Sequence, residues 1–496
     1  MTSVVKKLAG QTVIYGISSI LGRILNFILT PIHTNYFTQA SYGIIAYLYA
    51  YTAFINVILT FGMETTFFRF LQDREDTEGL YHQAFSWVGF LAIMFVSLVA
   101  FFRDTIAEII GYPEEGTIIL MIGFIIALDA FAALPMAKLR YQERARQFML
   151  INLVNIVITV VLNIYFIYVL KAGISYVFIA NLIASSLRTA LALIANPPRS
   201  LLIQPDLLAP MLQYGGFIML AGLAGTINET LDRIMLKWLW TGDKSWNGMQ
   251  LNGEEMTGIY NANYKFAMLI SLFTQAFKYA AEPFFFKSST QKDSPERFAK
   301  VFHYYTLATL LGFLILSSFS REIARIDITL GLSDSPKFVI GKAYWEGLIV
   351  VPILLLAYVF NGAYYNISIW FKLTKQTRYA LLFTGIGATV TLIVNFIGIP
   401  RYGFIASAWA TLLSFISMTI AVYWAGHTHY PVPYRIKRML LYVCIFITGF
   451  LTNGWWLPVI SPTIIYVLVK AGICILILVL IYVLEKLFPV FSSRTG

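Results

Sequence analysis

Charge is scarce in this chain: only 12% of its 496 residues are Asp, Glu, Lys or Arg, about half the roughly 25% of soluble domains. That scarcity excludes an ordinary water-soluble enzyme. Cysteine is scarcer still, and Cys444 and Cys474 both lie within apolar stretches, so there is no disulfide framework and the two read as small apolar filler. Of five histidines only His427 and His429 stand close together; without a Cys-x-x-Cys or His-Glu-x-x-His pattern no metal site is expected. A Gly-x4-Gly-Lys-Ser/Thr phosphate loop is missing. Gly385-Ile386-Gly387 is merely the start of a dinucleotide-type pattern inside an apolar run, where helix packing explains it better. No cofactor is implied, and no nucleophile or carboxylate pair marks an accessible catalytic site, so the chain does not read as an enzyme.

What is abundant is apolar surface, at 58% hydrophobic residues. A helix crossing a bilayer needs roughly 20 predominantly apolar residues. Fourteen suitable segments run from about 10–31, 41–62, 84–102, 117–137, 150–170 and 174–195 through 211–239, 257–282, 301–320, 343–371, 380–399, 404–425, 439–457 and 464–484. We number them spans 1 to 14 and expect an all-α polytopic membrane protein. Met1 to Lys7 precedes span 1 without a small-residue cleavage site, so span 1 is expected to be retained rather than removed as a signal peptide.

The net charge of +11 is a topology signal rather than a nucleic-acid footprint, which would need a basic patch on a folded surface. With the N-terminus inside, 21 of the 36 Lys and Arg fall in inner connections, nine in outer ones and six within spans. Positively charged loops stay cytoplasmic, so both termini are expected there. The longest irregular stretch, about Trp240 to Thr257, is too small for the catalytic loop of a membrane glycosyltransferase or polysaccharide polymerase.

The chain also resembles itself. Tyr15-Gly16 and Tyr42-Gly43-Ile44 around spans 1 and 2 match Tyr214-Gly215 and Gly258-Ile259-Tyr260 around spans 7 and 8. Spans 2 and 8 end alike, with Glu64 before Phe67 and Phe68, and Glu282 before Phe284 to Phe286. Asn163 with Gly173-Ile174 matches Asn395 with Gly403-Phe404. The offset of six spans is even, so a parallel repeat about an axis along the membrane normal is expected. It gives an N-terminal lobe over 1–200, a C-terminal lobe over 201–430, and spans 13 and 14 with a tail over 431–496 as an addition.

Several spans carry polar residues every three or four positions, which forms one stripe along a helix. Span 1 has Gln11, Tyr15, Ser19, Arg23, Asn26, Thr30 and His33; span 2 has Thr52, Asn56, Thr60 and Glu64; span 5 has Asn152, Asn155, Thr159 and Asn163. Span 7 offers Gly222, Gly225, Glu229 and Asp232, with Arg233 beside them, and span 8 offers Asn261, Lys265, Gln275 and Glu282. A charge at a helix centre costs about 2.5–3.5 kcal/mol on insertion scales, so these faces avoid lipid. Arg23, about 20 Å into its helix at 1.5 Å per residue, is too deep to snorkel easily. Arg23, Arg233 and Lys265 are therefore candidates for a cationic cavity between the halves, with Asn26 and Gln275 as hydrogen-bonding companions. Glu64, Glu229, Asp232 and Glu282 are candidates for ion coupling or gating. An ordinary intrahelical pair at four-residue spacing is the alternative for Glu229 with Arg233, and the simpler reading of Lys278 with Glu282. Gly215, Gly216, Gly222 and Gly225 suit close helix packing, and Pro135 and Pro352 can kink their helices.

These landmarks carry a family resemblance. Gly22-Arg23 with Thr30-Pro31, Phe61-Gly62-Met63-Glu64 leading to Phe68-Arg69-Phe70, Leu231 to Leu236 followed by Gly258-Ile259-Tyr260, and Ile399-Pro400-Arg401-Tyr402-Gly403 resemble the Wzx-type oligosaccharide flippases of the multidrug/oligosaccharidyl-lipid/polysaccharide (MOP) exporter superfamily. The resemblance covers most of residues 8–425. It implies transfer of a polyprenyl-diphosphate-linked oligosaccharide, an O-antigen, capsule or exopolysaccharide unit, to the outer leaflet of the bacterial inner membrane. Alternating access driven by H+, Na+ or the membrane potential would power it. Membrane lipids, a polysaccharide polymerase and glycosyltransferases would be its partners, and nucleic acid would not. Fourteen spans also resemble the lipid II flippases, in which the last two helices contribute a lipid-binding groove; a multidrug/cation antiporter of the same fold should show an acidic cavity instead.

Overall fold

A bilayer offers no hydrogen bonds to the backbone, so an apolar chain of this kind must satisfy its peptide groups within helices. The computed structural model describes residues 27–71, 76–201, 203–242, 245–289, 291, 293–329, 336–374, 376, 378–454 and 463–487. The protein is an all-α, multi-pass membrane protein: among the described residues twelve helices are long and apolar enough to cross a membrane. Span 1 appears as its last part, α1 (27–36). Span 8 lies within a 36-residue helix, longer than each of those twelve, that is not among them.

The chain divides into two compact units, Met1–Gly258 and Ile259–Gly496. In the first, span 2 is built from α2 (Gln39–Thr60) and α3 (Met63–Phe70), followed by α4 (Thr77–Ile109), α5 (Gly116–Tyr141), α6 (Ala145–Ile164), α7 (Ser175–Ala195) and α8 (Pro205–Leu239). α4, α5, α7 and α6 pack side by side in that order, and α2 and α3 lie against α8. Thr38 caps α2 by accepting from the Ser41 N–H at 3.2 Å, and Asp76 caps α4 by accepting from the Gly79 N–H at 2.9 Å, each satisfying an orphan donor. A short hairpin, β1 (Ser245–Trp246) with β2 (Met249–Gln250), occupies the connection the sequence marks as irregular and leads into α9 (Gly253–Ser288).

α9 continues into the second unit, which adds α10 (Ser294–Ala324), α11 (Val351–Ile367), α12 (Ile369–Leu373), α13 (Arg378–Tyr402), α14 (Phe404–His429), α15 (Ile436–Gly454) and α16 (Thr463–Leu487). α10, α11, α14 and α13 pack in sequence, while α15 and α16 attach to α10 and to each other. Pro352 differs from expectation. It sits at the first turn of α11, after a 3-10 stretch over Lys342–Val350, where its missing N–H costs no helical bond and no kink is required. Pro135 does lie inside α5.

Two glycine positions decide how the first unit packs. Phe61 and Gly62 both adopt left-handed backbone, φ 50° and 63°, which ends α2 and restarts the span as α3. A β-carbon at Gly62 would stand 2.8 Å from the Gly215 carbonyl oxygen, and one at Gly215 would stand 2.7 Å from that of Phe61. The α2/α3 break is thus pressed backbone to backbone against α8, an approach only small residues permit. At Gly225 a β-carbon would meet nothing within 4 Å among the described residues.

Candidate functional site

Polar groups inside an apolar bundle must find partners or a ligand, because an unmet buried donor or acceptor is costly. The stripes read from the sequence mostly find partners. Asn163 donates to the Thr159 carbonyl at 2.7 Å and pairs with His33 at 3.0 Å, joining the polar faces of spans 5 and 1. Its counterpart in the second unit behaves alike: Asn395 donates to the Thr391 carbonyl at 2.9 Å and accepts from Ser407 at 2.9 Å. Asn56 is different. Its side-chain oxygen is buried without a partner among the described residues.

On α8 the candidates Glu229, Asp232 and Arg233 come together within one turn. Arg233 donates to the Asp232 carboxylate at 2.8 Å and to the backbone carbonyl of Glu229 at 2.5 Å, with both members of the ion pair buried. The alternative pair of Glu229 and Arg233 therefore takes another form: Glu229 contributes its carbonyl, and the neutralising carboxylate is that of Asp232. Glu64, at the start of α3, is ion-paired with Arg140 of α5, whose guanidinium also lies over the Phe68 ring at 5.2 Å. Arg23 and Asn26 lie outside the described residues.

At the far end of α8 sits a cluster the sequence reading passed over. Lys237 carries no motif in the sequence, yet its ammonium lies 3.5 Å from the centroid of Tyr112, 4.4 Å from Tyr47 and 5.1 Å from Trp238. It also donates to the Ile110 carbonyl at 2.5 Å and faces Glu254 at 3.8 Å. Burial, with the Glu254 charge adding to it, raises the Tyr112 phenol above its ordinary range, and the phenol donates to Glu254 at 3.1 Å. An aromatic box of this kind holds an ammonium by cation–π attraction. Beside it, a β-carbon at Gly258 would stand 2.1 Å from the Gln39 carbonyl oxygen, so the first turns of α9 and α2 touch through bare backbone.

In the second unit, α9 and the α11–α12 segment line a small, half-open pocket formed by Thr274, Phe277, Lys278, Ala281, Phe285, Tyr365, Asn366, Ile369 and Lys372. Lys278 stands 4.9 Å from the centroid of Tyr365. Asn366 donates to the Gly362 carbonyl at 3.0 Å, but its side-chain oxygen is buried without a partner among the described residues. Between the lining residues Thr274 and Phe277, the side-chain oxygen of Gln275 is in the same condition. Lys265 is half-buried farther up α9, and Glu282 lies on α9 with its side chain outside the described ones. Of the described residues expected to bind substrate, Gln275 comes close to this pocket along its helix. Lys278 and Lys372 line this pocket although neither is marked by a polar stripe in the sequence. Among the described residues no group of three His, Cys, Asp or Glu side chains stands ready to hold a metal; His429 stacks on Trp370 at 5.2 Å.

A buried, multi-pass bundle with polar groups turned inward and a lysine-lined pocket has the build of a membrane transporter. The family model for polysaccharide biosynthesis proteins matches residues 8–289, more than half of the chain, and the protein belongs to that family. Among curated protein sequences none matches. Among solved structures, the lipid II flippase MurJ in an inward closed conformation superposes with a TM-score of 0.74 at 16% identity, covering 96% of this chain and 99% of that one. An inward-facing multidrug resistance MATE transporter gives 0.63 at 12% identity over 86% and 96%. A MOP superfamily transporter from Pyrococcus furiosus, described as having a binding pocket of reversed polarity, gives 0.59 at 13% identity over 88% and 96%. The fold is that of the MOP superfamily.

Proposed function

We propose that this protein carries a polyprenyl-diphosphate-linked oligosaccharide from the cytoplasmic to the outer leaflet of a bacterial inner membrane, with both of its own termini cytoplasmic. The observation that carries this reading is membership of the polysaccharide biosynthesis family by a chain that is nearly all membrane-spanning helix. Saccharides of such pathways are built on lipid anchors inside the cell, and their polar headgroup needs a protein route across the hydrocarbon core. The buried oxygens of Asn56, Gln275 and Asn366 are acceptors suited to sugar hydroxyls. Alternating access, coupled to H+ or Na+, would use the α8 cluster of Glu229, Asp232 and Arg233 together with Glu64 and Glu282, and Arg23, Asn26 and Lys265 would complete the polar route. A polymerase and glycosyltransferases of the same pathway would be its partners.

A second reading, lipid II as the cargo, is favoured by the full-length fold similarity to a lipid II flippase, α15 and α16 included. Deleting the gene and measuring polyprenyl-linked saccharides by mass spectrometry separates the two. Accumulation of one lipid-linked oligosaccharide with loss of its surface polymer is the expected result. Accumulated lipid II would move the protein to the second reading, and unchanged lipid-linked sugars with new sensitivity to cationic drugs would refute both.

A further inference from the structure

One face of α4 keeps more unmet hydrogen-bond donors than a packed helix ordinarily tolerates. Gln83, Ser86 and Trp87 stand at i, i+3 and i+4 and so share that face. The Gln83 side-chain nitrogen, the Ser86 hydroxyl and the Trp87 indole nitrogen are all buried, and each lacks a hydrogen-bond partner among the described residues. Gln83 accepts from the Gln204 N–H at 2.8 Å through its side-chain oxygen, which orients the amide and leaves its own N–H groups to spare. Beside Trp87 lies Phe61, its ring nearly perpendicular to the indole at 6.1 Å. Phe61 sits at the α2/α3 break with left-handed backbone, φ 50°, which is uncommon for a bulky side chain. Each unmet buried donor weakens the fold, and a face that keeps three of them suits a ligand that brings acceptors.

The amide and indole N–H groups only donate, so the ligand must present oxygen lone pairs. All three groups are neutral and bring no charge to offset the desolvation of an anion, so a neutral, oxygen-rich body fits them better than a phosphate. A sugar is such a body: its ring and hydroxyl oxygens accept, and its C–H faces suit the aromatic surfaces of Trp87, Phe61 and Phe90. At 1.5 Å per residue the three lie about 9–15 Å from the start of α4, its cytoplasmic end on the proposed topology. We infer that Gln83, Ser86 and Trp87 form a saccharide subsite of the first unit, donating to oxygens of the sugar of a lipid-linked cargo. Phe61 is the side chain that must turn aside to admit it. This inference rests on the proposed function and sharpens it, adding donors to the buried acceptor of Asn56 on α2.

The test uses the purified full-length chain in detergent, with farnesyl diphosphate and its glucosyl, galactosyl and N-acetylglucosaminyl esters as probes and affinity read by titration calorimetry. Wild-type protein should bind at least one sugar-bearing probe about tenfold or more tightly than farnesyl diphosphate, a difference worth about 1.4 kcal/mol. Gln83 is left in place because its oxygen holds the Gln204 N–H. Ser86→Ala/Trp87→Phe, which removes the other two donors, should lose that preference while its affinity for farnesyl diphosphate stays that of wild type. If no sugar-bearing probe gains on farnesyl diphosphate in wild type, the subsite does not exist. A double variant that keeps the full preference overturns the inference too, leaving donors that hold buried water only. Loss of all four probes together would make the two side chains structural. Failure of the broader reading looks different: deletion of the gene then leaves lipid-linked saccharides unchanged, whatever the α4 donors bind.

Discussion

Lys470 and Glu322 join α16 to α10, and the unequal burial of the two predicts an unequal cost of breaking them. The Lys470 ammonium donates to Glu322 at 2.8 Å and to the Ser318 carbonyl at 2.7 Å, with its side chain 2% exposed and that of Glu322 22% exposed. Glu322→Gln leaves the more buried charge uncompensated, and breaking a buried pair in that way costs about 3–5 kcal/mol. Lys470→Met instead leaves a carboxylate near the end of α10 that solvent reaches, so its cost falls toward the roughly 1.5–3 kcal/mol of a charged hydrogen bond. Removing both charges together should cost less than the sum of the single changes by about 2 kcal/mol. Reversible unfolding of the purified protein in mixed micelles, titrated with SDS and followed by tryptophan fluorescence, measures all three variants. A larger loss for Lys470→Met than for Glu322→Gln, or simple additivity in the double variant, would refute the reasoning. The consequence reaches beyond stability, because Ser318 also accepts from Asn453 of α15 at 3.0 Å: α10 holds both added helices through one polar knot.

Other parts of the structure make separate commitments. Gly258→Ala should destabilise by about 1–3 kcal/mol through overpacking against the Gln39 carbonyl, whereas Gly225→Ala, with no neighbour within 4 Å among the described residues, should be neutral or slightly stabilising in the same unfolding assay. Glu64→Gln and Arg140→Gln should each slow transport, seen as accumulated lipid-linked saccharide in cells, and the charge-exchanged pair should recover part of it; undiminished transport in Glu64→Gln would remove this residue from coupling. Arg233→Ala and Arg23→Ala should block transport while the protein still inserts and is expressed, and normal surface glycan at normal expression would exclude both from the route. Lys237→Met should loosen the aromatic box around Tyr112, measurable as faster hydrogen exchange at the start of α9.

Several features of the site follow from local pattern alone. Polar residues at helical spacing mark faces that cannot meet lipid, and Asn163 and Asn395, matched in the repeat, each turn inward and bond a carbonyl one turn back. Local pattern misleads where a partner is chosen across space. Spacing offered Arg233 the carboxylate four residues earlier, but the side chain reaches Asp232 and takes only the carbonyl of Glu229. Pro352 carried the signal of a kink, yet its meaning depended on where α11 begins.

The sequence by itself determined the solvent this protein lives in and the helical class of its spans, because lipid admits few backbone solutions and hydrophobicity is a property of each residue in turn. Only the tertiary structure decided which side chains meet across long stretches of sequence. His33 meets Asn163 across 130 positions, and Lys278 of α9 shares a pocket with Lys372 of α12. No periodicity along one helix encodes such meetings: they depend on which faces the packed helices turn toward each other.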